Sequence, residues 1–152
     1  MSTKTKTVVK EKLNYYHKFV LLLVSLSILM LEFTLIRVLS ISLWYHFAFM
    51  IISIALLGLG ISGVTIIISK RIAKAEVNAF LTLVSLLYAV SIILSFLLMN
   101  KIPFDPFSLF IDSAQFIYLP IYYILITLPF FLAGLIIGQQ FTRFKSGINK
   151  LY

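Results

Sequence analysis

Phe47–Ser69 reads Phe-Ala-Phe-Met-Ile-Ile-Ser-Ile-Ala-Leu-Leu-Gly-Leu-Gly-Ile-Ser-Gly-Val-Thr-Ile-Ile-Ile-Ser, and this stretch decides the fold. It carries no charged side chain. At ~1.5 Å per residue such a helix reaches about 35 Å, enough to cross a hydrocarbon core ~30 Å thick. Only a helix can take an open chain through lipid, because it bonds its backbone groups within the segment.

The rest of the chain agrees with this stretch. Of 152 residues, 61% are hydrophobic and 12% charged, about half the ~25% charged share of soluble domains. A soluble fold of this length has too little interior to hide that much apolar surface. The net charge of +8 does not point to nucleic acid, because the cationic residues flank apolar stretches and do not stripe a polar face. The chain has no cysteine, which excludes disulfides and thiolate chemistry. Its two histidines, His17 and His46, are too few and too far apart for a zinc site of the usual kind. No metal or cofactor is expected.

Upstream, Phe19–Val38 is apolar except for Glu32 and Arg37 near its far end. It is too long and too charged to be the ~7–15-residue apolar region of a cleaved signal, although Ser40 and Ser42 are small. Ser42–His46 is the break before the second span, with Trp44 and Tyr45 suited to the headgroup level. Val77–Met99 is a third span. Pro103 and Pro106 then break the helix, and Phe104, Phe107 and Phe110 suggest an interfacial loop. Asp112 and Gln115 fit a capping box opening a fourth helix. The expectation is an all-α polytopic membrane bundle of four transmembrane helices, near 19–38, 47–69, 77–99 and 116–141. A basic segment over 1–18 precedes this domain of 19–141, and a basic tail over 142–152 follows it.

Lysine and arginine fix the expected orientation. The first segment holds five, the loop with Lys70, Arg71 and Lys74 three, and the tail three (Arg143, Lys145, Lys150). The two opposite loops hold only Lys101. The positive-inside rule therefore puts both termini in the cytoplasm, N-in and C-in, of a multi-pass protein of the cell membrane.

Lipid tails are as apolar as leucine, so such helices associate through close packing and hydrogen bonds. Ala48, Ala55, Gly58, Ser62, Thr65 and Ser69 make one seam of small residues on the second span. Gly60 and Gly63 make a second small face, which suggests a helix between two neighbours. In the fourth span Gly134 and Gly138 form a GxxxG pair beside Thr127 and Phe131. Gly58, Ser62, Gly134 and Gly138 are the expected packing residues. The third span carries Asn78, Thr82, Ser85, Tyr88, Ser91 and Ser95, which read as hydrogen-bonding glue or as a polar pathway lining. Pro129 lies well inside the fourth span and should kink it by freeing the carbonyl of Leu125.

Gly58-Leu-Gly60-Ile-Ser-Gly63 matches the dinucleotide fingerprint in letters only. That motif works at a strand-to-helix turn, whereas here the N–H groups are already bonded within a helix. Glu32 and Arg37 are chemically more informative. A charge at mid-membrane costs ~2.5–3.5 kcal/mol even on the lenient insertion scale. Five residues apart they point roughly 140° from each other, so they are not a same-face pair. With His46 they form a candidate intramembrane polar site, either a structural network or a site for protons or substrate. No nucleophile is paired with a base, and no catalytic residue is assigned.

Glu32-Phe-Thr-Leu-Ile-Arg37, Tyr45-His-Phe-Ala-Phe, Leu56-Leu-Gly-Leu-Gly-Ile-Ser-Gly63 and Leu128-Pro-Phe-Phe-Leu-Ala-Gly134 together resemble the membrane-spanning relatives of spermidine synthase. Leu151-Tyr152 is similar to the start of a segment that leads into another helix in longer members. The resemblance implies a multi-helix membrane region that, in the family, is joined to a soluble aminopropyltransferase- or methyltransferase-type domain. The nucleotide-binding glycines and acidic catalytic residues of that domain are missing here, so no catalytic role carries over. The expected function is a non-catalytic membrane module. Its expected partners are the lipid bilayer and either a soluble methyltransferase-like protein, further spans or a second copy of the chain. The alternative is a small proton-coupled transporter using Glu32, similar to the small multidrug exporters in having four helices with one acid in the first.

Overall fold

The computed structural model describes residues 15–43, 46–69, 72, 76–102 and 115–143. Four helices account for nearly all of them: α1 (Tyr15–Leu43), α2 (His46–Ile68), α3 (Val77–Lys101) and α4 (Gln115–Arg143). All four are long and apolar enough to cross a membrane. The chain is an all-α four-helix bundle of the multi-pass membrane class.

The helices exceed the spans read from hydropathy. The 29 residues of α1 extend about 43 Å at ~1.5 Å per residue, past both faces of a ~30 Å core. It continues through Ser40 and Ser42 to Leu43, so the backbone stays helical beyond the apolar stretch. Likewise α3 ends at Lys101, where the Ile102 amide donates to Leu98 O (3.1 Å) and a cation sits at the negative end of the helix dipole. The basic segment before Tyr15, Trp44 and Tyr45, Lys70, Arg71 and Lys74, the loop with Pro103 and Asp112, and the tail beyond Arg143 lie outside the described residues.

Packing is centred on α4. It touches each of the other three helices, and 50% of its apolar span is buried against 17% for α1. Its fully enclosed side chains include Ile126, Phe130 and Ile136. Against it α2 turns Gly58, Ser62 and Ile66, and Ile51, Ile54 and Ala55 of α2 are buried as well. The opposite faces of the bundle are covered with exposed Leu, Ile, Val and Phe, the surface that hydrocarbon solvates.

Candidate functional site

Among the described residues, α2 and α4 approach each other closely through their glycines. A Cβ on Gly58 would come within 2.8 Å of the Phe130 Cβ and 3.0 Å of both Thr127 O and Phe131 N. A Cβ on Gly134 would collide with the Ser62 hydroxyl, and one on Gly138 would lie 2.5 Å from the Ile66 Cδ1. Gly58 therefore faces Phe130, Ser62 faces Gly134, and Ile66 faces Gly138. Each step of four along α2 meets a step of four along α4, so the two helices run parallel with their ridges in register. The structure thus brings Gly58, Ser62, Gly134 and Gly138 together in one interface. Gly60 and Gly63 meet nothing within 4 Å. The second small face of α2 has no neighbouring helix among the described residues.

The polar row of α3 separates into groups with different work. Asn78 and Thr82 are exposed, and the Thr82 hydroxyl donates to Asn78 O at 2.9 Å. The Tyr88 hydroxyl is 3.1 Å from the Ser27 hydroxyl of α1. Ser91 donates to Tyr88 O at 2.7 Å within its own helix. Ser95 crosses to α4 and donates to Leu125 O at 2.6 Å. That carbonyl would bond the amide of residue 129 in an unbroken helix, and Pro129 has no amide hydrogen to give. One turn further on, Tyr122 donates to Met99 O at 3.0 Å. These last two pairs advance in opposite senses, so α3 and α4 are antiparallel.

A cleft of about 450 Å³ opens between α1 and α3, floored by Ile126 and Pro129 of α4. Its walls include Ser27, Leu31 and Thr34 on one side and Ile92, Ser95 and Phe96 on the other. The hydroxyls on these walls are occupied. Ser27 is paired with Tyr88, Thr34 donates to Met30 O at 2.7 Å, and Ser95 donates to Leu125 O. The lining is otherwise hydrocarbon and thioether.

Glu32 is half-buried and Arg37 exposed, and among the described residues no ion pair joins them. By helical phase Glu32 lies on the flank of α1 away from the cleft wall formed by Ser27, Thr34 and Val38. His46 opens α2, and its side chain lies outside the described residues. Among the described residues no cluster of three His, Cys, Asp or Glu could hold a metal.

Two residues not singled out in the sequence are buried near the end of α4. Gln139 is fully enclosed and its Nε2 donates to Ile72 O at 3.0 Å, fastening the segment between α2 and α3. Its Oε1, and Nε2 of the adjacent buried Gln140, have no partner among the described residues. Two consecutive carboxamides inside an apolar helix were the available signal. Compared with protein-family models, curated proteins and solved structures, the chain matches none.

Proposed function

We propose that this chain is a non-catalytic membrane module whose helices form a scaffold for a partner. It lies in the cell membrane with both termini on the cytoplasmic side, and its partner is a soluble methyltransferase-like protein, further spans or a second copy. The observation that carries this reading is the use made of the interhelical polar groups. Ser27, Tyr88, Ser95 and Tyr122 each bond across to another helix. A pathway for protons or polar substrate needs such groups free to exchange partners, whereas here they tie helices together. The likeness of Glu32–Arg37 and Leu56–Gly63 to the spermidine-synthase-related membrane region supports the same reading.

Vesicles containing the purified chain and an internal pH-sensitive dye test it. Under imposed proton gradients, wild type and Glu32→Gln should both leak no faster than empty vesicles. Proton flux in wild type that stops in Glu32→Gln would replace the scaffold with a transporter.

A further inference from the structure

We infer that the cleft between α1 and α3 is a binding site for one hydrocarbon chain of a bilayer lipid. Three observations converge on that occupant. The first is access. The side chains along its mouth, including Met30, Ile93, Phe96 and Leu97, are apolar and exposed on the bundle's outer surface. In a membrane that surface meets acyl chains, so the cleft opens sideways into them.

The second is chemistry. Every hydroxyl on its walls already has an internal partner. A buried water needs two to four polar partners, and this lining offers only three hydroxyls, each already tied to a protein partner. A polar ligand would lose its hydration without compensation. An empty cleft would forfeit the dispersion contacts that a filled one makes.

The third is length. From Ser27 to Val38 the wall of α1 runs about 16 Å at ~1.5 Å per residue. One leaflet of a ~30 Å core is about 15 Å deep. The cleft occupies the half of the bundle nearest Leu43 and Lys101, so it matches a single acyl chain lying along the helices. A transmembrane helix of a second copy would need a groove about 30 Å long, roughly twice what is present. At about 450 Å³ the space also falls within the usual ~300–1,000 Å³ of ligand pockets.

The test uses the whole chain in vesicles containing a phospholipid with a photoreactive diazirine in one acyl chain. After irradiation, peptide mass spectrometry should find adducts concentrated on Met30, Thr34 and Phe96, well above those on Phe49 and Ile52, which are exposed on α2 and lie outside the cleft. Thr34→Phe fills the mouth and should lower the cleft adducts several-fold while leaving those on α2 unchanged. Val38→Phe serves as a second filler should the first fail to fold. Equal labelling of α1, α2 and α3, or fillers without effect, would overturn the proposal. So would labelling excluded from the cleft together with disulfide-linked dimers of Met30→Cys, which would place a second copy there. Proton flux is not read in this experiment, so its outcome is independent of the scaffold reading.

Discussion

Ser95 on α3 supplies the hydrogen that Pro129 cannot. Its hydroxyl donates to Leu125 O at 2.6 Å, the acceptor that a residue-129 amide serves in an unbroken helix. The missing backbone bond at Pro129 and the attachment of α4 to α3 are therefore one device. Within hydrocarbon no water is at hand to accept the task.

This device makes the effects of substituting Ser95 and Pro129 depend on each other. Ser95→Ala should destabilise the bundle by ~0.6 kcal/mol and up to ~1.7, the range measured for interhelical bonds in membranes. In a Pro129→Ala background the new amide reaches Leu125 O, and Ser95→Ala should then cost almost nothing. Denaturant titrations of the two single variants and the double variant would show this non-additivity. Simple additivity would mean that the Ser95 bond does not compensate the proline.

Glycines on α2 should respond with opposite signs. Gly58→Leu drives a side chain against the backbone at Thr127 O and Phe131 N, which flexible neighbours cannot relieve, and overpacking costs ~1–3 kcal/mol or more. Gly134→Ala meets the Ser62 hydroxyl and should also weaken the bundle. Gly60→Ala and Gly63→Ala enter open space and should stabilise the helix by ~0.5–1 kcal/mol each. Thermal unfolding in detergent would measure all four. Loss of stability on changing Gly60 would reveal a partner on that face.

Tyr88→Phe removes the hydroxyl that meets Ser27 while keeping the ring in place. A loss of ~0.6 kcal/mol is expected, together with faster backbone hydrogen exchange in the central turns of α1. Unchanged exchange there would show that α1 is held by its contacts with α2 and α4 alone.

The proposed orientation, drawn from eleven cations against one, can be checked in a chain free of native cysteine. Cysteines at Thr5 and Lys74 should resist an impermeant thiol reagent applied outside intact cells, and one at Asp105 should react. The reverse pattern would invert the bundle.

Gln139 offers a further check on the segment between α2 and α3. Gln139→Leu removes the bond to Ile72 O but also the unpartnered Oε1. Net stability should change by less than ~1 kcal/mol, while protease cleavage near Ile72 should increase. Unchanged cleavage would mean the carboxamide does not hold that segment.

Hydropathy alone determined that this chain forms four membrane-crossing helices, because the cost of placing a side chain in hydrocarbon is a local property of each residue. It also located small residues on α2 and α4 and the broken backbone at Pro129. It marked Gly58 and Ser62 as packing residues but also expected a neighbour on the Gly60 and Gly63 face, which the described residues do not supply. A soluble helix marks its inner face by contrast with a polar outer one, but in lipid both faces are apolar and the asymmetry disappears. The seam through Gly58 and Ser62 was legible as a packing face, and the structure sets Gly134 and Gly138 against Ser62 and Ile66. The Gly60 and Gly63 face meets nothing within 4 Å. The polar row of α3 was equally visible and equally ambiguous, since a serine's role depends on whether a free acceptor lies across from it. Only tertiary packing put Ser95 opposite the carbonyl released by Pro129 and left a cleft one leaflet deep beside it, because these depend on shapes meeting across the chain.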